Sequence, residues 1–283
     1  MTTPTPTPRP RGTLYLVPAP LDFGCSEQAP LTDVLPAGTL QQAAQLQHWI
    51  VENAKTARAY LKRIDEHVPL AHPLQAMQMV ELPREVHKVG DHAGQKTSPA
   101  AKGAKNPTPK RTDPPAFDPR SLLRPALDGH DMGLVSEAGM PGVADPGSSI
   151  VRAAHQLGLR VVPLTGPISL LLALAASGLN GQSFAFIGYL PQDDSARANA
   201  LRMYEAHARK TGQAQIAIET PYRNAKLWQA CLQHLQADTW LSIHSGISLP
   251  TARSQSQSVK SWRKQGEECP MDGKTPAVFI FGC

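Results

Sequence analysis

The sequence predicts an α/β chain of two domains: a largely parallel sheet with flanking helices, then a smaller mixed α/β domain. Three observations carry this expectation. Short β-rich runs alternate with helical patterns over the N-terminal part, several runs end in loops of glycine, proline and small residues, and after Gly181 the strands follow one another with fewer helical crossovers. The expected limits are a tail over 1–11, an N-terminal domain over 12–180 and a C-terminal domain over 181–283, divided near Asn180 between the helix ending at Leu179 and the strand beginning near Phe184.

Taken in order, TLYLV (Thr13 to Val17) is a strand that runs into PAPLDFG, and HWIVE (His48 to Glu52) is a second, followed by a helix through NAKTARAYLKRI. GLVSE opens into SEAGMPGVADPG (Ser136 to Gly147), after which SSIVRAAHQLG reads as a helix. RVVPL is a strand stopped by TGP, and Pro167 suits the first turn of the apolar helix ISLLLALAASGL, where its missing N–H costs nothing. FAFIGYL, AQIAIE, TWLSIHSGI and PAVFIFG are the later strands, with ARANALRMYEAHARK and NAKLWQACLQHLQ as helices between them.

Charge is unevenly placed. The formal net charge is +5, and the stretch from Lys88 to Leu127 holds eight basic and three acidic residues, so this stretch alone supplies the excess. It has few aliphatic residues and many Pro, Lys, Gly and Ala, which predicts a disordered basic insertion over about 88–127 because too little apolar area is buried to offset ordering. A solvated linker and an electrostatic tether for nucleic acid are both consistent with it. The four cysteines are far apart and form no CxxC pair, which argues for a reducing, cytoplasmic setting and against zinc. The apolar run LLLALAA is far shorter than the ~20 residues needed to cross a bilayer, so no membrane is expected, and no His/Asp/Glu cluster has metal-ligand spacing, so no metal is expected.

Ligands of open α/β sheets bind at the carboxyl ends of strands. PAPLDFG, SEAGMPGVADPG and PLTGPIS would all lie there, and their glycines and prolines describe a preformed cleft lined mostly by backbone. Neither GxGxxG nor GxxxxGK[ST] occurs, so dinucleotide and P-loop sites are excluded. GTLYLVPAP, SEAGMPGVADPG, VVPLTGPISLLLALAASGL, FAFIGYLP and IETPYRN, in this order and at this spacing, resemble the tetrapyrrole methylase superfamily, the class III S-adenosylmethionine-dependent methyltransferases. Within it the likeness is greatest to the branch of bacterial 16S ribosomal RNA ribose 2'-O-methyltransferases.

The resemblance implies a homodimer of two-domain chains with S-adenosylmethionine folded between the domains, and an RNA or small ribosomal subunit as partner. Motif by motif, it implies cofactor contacts from Pro18, Gly139, Met140, Val143, Pro167, Ile168, Ser169, Leu190, Pro276 and Ala277. Departures from the branch fall where the acceptor would lie: VENAKTAR replaces an AEDTR-like stretch, keeping Glu52 but putting Asn53 in place of the aspartate and moving the arginine to Arg58. Methylation of a tetrapyrrole or other small molecule, or cofactor binding without acceptor chemistry, are the alternatives.

Removal of a ribose proton calls for a general base. Glu137, Asp145 and Glu219 are the catalytic candidates, with Glu52, Arg58 and Arg223 for the substrate. Each has a structural alternative: an ion pair with Arg223 for Glu219, a place at a helix N-terminus favoured by the dipole for Asp145, loop shape for Glu137. Of the histidines, His244 in LSIHSG lies nearest the expected cleft, and a packed side chain is its default.

Overall fold

A computed structural model describes residues 10–22, 24–25, 27–83, 117–266 and 268–283. Residues 1–9 of the expected tail and 88–116 of the expected insertion lie outside the described residues. Contacts divide the chain into two units, one of Met1–Ala19 with Leu35–Gly166 and one of Pro20–Val34 with Pro167–Cys283.

The first unit is built on five parallel strands, β1 (Thr13–Leu16), β2 (His48–Val51), β3 (Gln78–Glu81), β4 (Met132–Val135) and β5 (Arg160–Pro163), in the order β3-β2-β4-β1-β5. The central strands read as continuous apolar runs because helices bury both faces: every residue of β2 and β4 is buried. Helices α1 (Ala37–Gln45), α2 (Ala54–Asp65) and α3 (Ser148–Gln156) supply the layers. From α3, Ile150, Ala153 and Ala154 join Leu14, Ile50, Met132 and Leu134 in one core cluster. Each buried aliphatic side chain of this kind contributes about 1.5–3 kcal/mol.

The basic insertion ends sooner than its composition implied. Residues 117–127 are folded: a 3-10 turn Pro119–Leu123 leads into the helical turn Arg124–Leu127, with Leu123 and Ala126 fully buried in the same core. Aliphatic SLLRPAL, diluted in a window rich in charge and proline, anchors that segment.

The second unit carries a mixed sheet of β6 (Phe184–Gly188), β7 (Ala214–Glu219), β8 (Trp240–Ser245), β9 (Arg253–Ser258) and β10 (Ala277–Gly282), ordered β6-β7-β10-β8-β9 and parallel only between β6 and β7. Helices α5 (Asp194–Thr211), α6 (Asn224–His234) and α7 (Val259–Gln265) lie over one face, where Trp228 and Trp262 meet edge to face at 4.9 Å beside Phe279 and Phe281. Against the other face packs α4 (Ser169–Ser177), through Leu170, Ala173 and Leu174 on Ile216, Val278 and Ile280. Because α4 packs on this sheet, the division falls at Gly166–Pro167, ahead of the boundary expected near Asn180. His244 is fully buried on β8 between two hydroxyls, Nε2 to Ser242 Oγ at 2.7 Å and Nδ1 to Ser254 Oγ at 2.9 Å. Burial pushes it down to about 4, so it is a neutral structural residue.

Gly133 is where the parallel sheet admits no substitution. A Cβ there would lie 2.5 Å from Cε3 and Cζ3 of the Trp49 ring, and that ring is 1% exposed and tethered by Nε1 to Leu46 O. Gly133→Ala is expected to cost about 1–3 kcal/mol through forced displacement of a packed side chain, read as a lower urea midpoint with an unchanged slope.

Candidate active site

Parallel pairing aligns the strand ends. Val51 lies opposite Val135, so the next residues, Glu52 after β2 and Ser136-Glu137 after β4, leave adjacent strands on the same side. Glu137 N donates to Glu52 Oε2 at 3.1 Å. Thr56 Oγ1, in the first turn of α2, is 3.2 Å from Glu137 Oε1 and 3.0 Å from Asn53 O, so its single proton serves one acceptor at a time. At the end of β3, Glu81 Oε1 accepts from Ala54 N at 2.7 Å. Asn53 caps α2, its Oδ1 accepting from Lys55 N and Thr56 N. The departure at position 53 therefore has a local use: its amide oxygen satisfies helix N–H groups without adding another negative charge.

The loop 136–147 is shaped by backbone. Ala19 and Gly139 exchange two hydrogen bonds of 2.9 and 3.0 Å, tying the loop after β1 to the loop after β4. Gly139 and Gly142 have φ of 69° and 79°, which L side chains adopt at a cost, and Ala144 is held at φ 65° although it is not glycine. Pro18 O accepts from the buried Tyr60 hydroxyl at 2.7 Å, and a Cβ on Gly166 would strike Pro18 Cγ at 2.3 Å. Pro18 is thus fixed from two sides.

Asp145 follows the strained Ala144. Its carboxyl is pushed up to about 7, first by burial and then by the negative charges of Glu52 and Glu137. It does not serve as a helix cap: α3 starts at Gly147 with no side-chain cap bond and no acidic residue in its first turn. Asp145 lies two residues before the Gly147 cap of α3, and burial and like charge act on its carboxyl in the direction opposite to a helix dipole.

The remaining expected site residues divide between the units. Glu52, Glu137 and Asp145 converge in the first, beside Pro18, Gly139, Met140 and the 37%-exposed Val143. Pro167, Ile168, Ser169, Leu190, Pro276 and Ala277 belong to the second, where Leu190 and Ala277 point into its core. Glu219 and Arg223 are also in the second unit and hold each other: Arg223 Nη2 and Nε donate to Glu219 Oε1 at 2.6 and 2.9 Å, and Thr220 N joins at 2.7 Å. Glu219 is 6% exposed. The ion pair is the alternative the sequence offered for it. Arg58 stands on the outer face of α2, and its side chain bonds to no described residue. Thr56, Tyr60 and Glu81 were not foreseen, because each acquires its role from a partner remote in sequence.

No protein-family model matches the chain. Two solved structures share its architecture across nearly its whole length: the methyltransferase CobJ, with a TM-score of 0.53, 15% identity and 96% of this chain and 94% of that one covered, and CobF of Corynebacterium diphtheriae, described as related to cobalamin synthesis, with 0.53, 13%, 96% and 98%. The chain shares the two-unit α/β fold of these structures. In sequence it is similar to proteins named ribosomal RNA small subunit methyltransferase I: 42% identical over 89 residues to that of Escherichia coli O157:H7, covering 31% of each chain, and 39% over 114 residues to that of Vibrio cholerae, covering 40% of this chain and 38% of that one. The matched stretch spans about a third of the length of these curated relatives. The resemblance read from the five motifs holds.

Burial and like charge at Asp145 set a pH dependence of stability. Its carboxyl binds a proton more tightly folded than unfolded, so its contribution is most favourable at acid pH and is lost as pH rises from about 4 through about 7. Asp145→Asn is expected to raise the melting temperature at pH 8 and leave it unchanged at pH 4, checked by calorimetry at both values.

Proposed function

We propose that this chain is an S-adenosylmethionine-dependent methyltransferase acting on the ribose 2'-hydroxyl of small-subunit ribosomal RNA in the cytoplasm. The observation that carries the reading is the carboxyl of Asp145, brought near neutrality by burial, Glu52 and Glu137 at the strand ends of a methyltransferase fold. The likeness to small-subunit ribosomal RNA methyltransferases supports the acceptor.

The loop suits the methyl donor. Ser136–Gly147 contains no basic side chain and two carboxylates, a composition that tolerates a sulfonium and would repel a polyphosphate. Pro18, Gly139, Met140 and Val143 would hold the donor in the first unit, largely through backbone. When bound, S-adenosylmethionine supplies a methyl group activated by its positive sulfur. Asp145, ionised above about pH 7, accepts the proton that the ribose hydroxyl sheds as its oxygen gains carbon. Glu52 and Glu137 keep that base from ionising too early, and Thr56 orients Glu137.

Tritium transfer from labelled S-adenosylmethionine to small subunits from cells lacking this protein tests the reading. Incorporation is expected to rise with pH through about 7, and Asp145→Asn to lower kcat by about 10²–10⁴-fold with donor affinity by calorimetry unchanged. Donor binding without incorporation would favour a small-molecule acceptor or a protein without acceptor chemistry; no donor binding would overturn the proposal altogether.

The proposed assembly is a homodimer through the uncovered side of α4 and β6. Leu171, Leu172, Phe184 and Phe186 are 45, 44, 41 and 40% exposed there, and residues 167–192 contain no charged side chain. An uncharged apolar face meets its own copy without like-charge repulsion, as an isologous contact requires. Sedimentation is expected to show a dimer, converted to monomer by Leu172→Glu with Phe186→Glu; a wild-type monomer at micromolar concentration would overturn this.

A further inference from the structure

We infer that the outer face of α2 is a phosphate track that draws the backbone of an RNA substrate toward the carboxylate cluster; the inference rests on the RNA reading above. Lys55, Arg58 and Lys62 are all exposed and, spaced by three and four residues, form one stripe along the helix. The opposite face is the anchor, with Ala57, Tyr60, Leu61 and Ile64 buried. None of the three cations makes an ion pair or side-chain hydrogen bond with a described residue, and α2 holds no acidic residue before Asp65.

The placement of Lys55 is informative. It sits in the first turn of α2, where the helix dipole disfavours a cation, while Lys62 near the last turn is accounted for by that dipole alone. A cation kept where the helix itself is better without it has a use outside the helix.

Geometry says what the use is. The stripe rises ~10 Å at 1.5 Å per residue, a length that passes about three phosphates of one strand at the ~3.4 Å axial spacing of a nucleic acid helix. Its near end is the site: Asn53 caps α2, and Thr56 in the same turn touches Glu137. A base built from Glu52, Glu137 and Asp145 repels a polyanion. Cations beginning one turn away offset that repulsion and favour one approach direction. An acidic protein surface is the other polyanion such a stripe could meet, but the adjoining carboxylates call for a substrate with a neutral reacting group set into an anionic chain, as ribose is.

The test compares the full chain with Lys55→Gln/Arg58→Gln/Lys62→Gln and with a control, Lys210→Gln/Lys260→Gln, whose exposed cations lie in the second unit. Binding of protein-free small-subunit ribosomal RNA is followed against salt, and methylation is measured on unmethylated small subunits. The triple variant is expected to lose on the order of ten-fold in affinity, to flatten the slope of log K against log salt by about 2, near 0.7 per lost phosphate contact, and to raise KM with kcat held; the control changes none of these. A triple variant with wild-type slope and KM overturns the track while wild-type methylation leaves the RNA reading standing. Wild-type protein that neither binds nor methylates the RNA overturns both, and equal loss of binding to poly-L-glutamate and to RNA would assign the stripe to acidic protein instead. Unchanged donor binding and melting temperature show that the triple variant is folded.

Discussion

The first unit depends on one short piece of backbone pairing, the two hydrogen bonds between Ala19 and Gly139. Parallel strands β1 and β4 are neighbours, and their loops leave the sheet side by side. Without a link they would be independent segments with separate entropy costs. The pairing makes them one surface. Gly139 can take part because its φ of 69° is free for glycine, and Pro18 is held by the Tyr60 hydroxyl behind it. The residues after Gly139, including the left-handed Ala144 and the carboxyl of Asp145, inherit their positions from that link. A sheet core dense enough to exclude even a methyl group at Gly133 supports the same arrangement from below.

The loop holds unfavourable energy at two adjacent residues. A non-glycine residue at φ 65° costs on the order of 1–2 kcal/mol, and Asp145 is ionised at neutral pH only against burial and two neighbouring carboxylates. Neither feature stabilises the fold. Both persist because the surrounding structure holds them, through the pairing at Gly139 and the packing around the carboxyl. The threonine and asparagine at the start of α2 have the opposite character, closing hydrogen bonds without charge.

Where the sequence was legible, the reason is physical. β1, β4 and β5 run into loops bearing glycine or proline, and β2 and β4 are runs that the parallel sheet buries whole. β3, QMVE, is an edge strand with mostly exposed residues, and nothing in four residues before Leu82-Pro83 separates it from a loop. β9, RSQSQS, alternates with period two, yet between serine and glutamine: its serines face His244 and the carbonyl of Ser177 while its glutamines face the other way. A hydrophobicity pattern cannot find a strand whose inward side is polar. The division of the chain was placed late because Gly178, left-handed at the end of α4, looks like a terminus between domains, whereas the leucines before it already belong to the second sheet. The loop motifs at the strand ends were readable because backbone shape is written in glycine and proline. Glu52, Glu137 and Asp145 could be named as candidates one by one, but their meeting was not readable, since it depends on strand order and the fold of the loop.

The acids of the two units are held differently. In the second unit, buried acids are closed off: Glu219 is held by Arg223 and Thr220, and Glu205 accepts from Gln236 N and from the hydroxyl of Thr239. A buried acid paired with a half-buried guanidinium gives up that ion pair on taking a proton. The pair anchors the turn that carries Tyr222, whose ring the same Arg223 faces at 5.8 Å. In the first unit three carboxylates lean on one another instead, and their mutual repulsion is relieved when one takes a proton. A proton bound there lowers the energy of the cluster, whereas Glu219 gives up an ion pair on taking one.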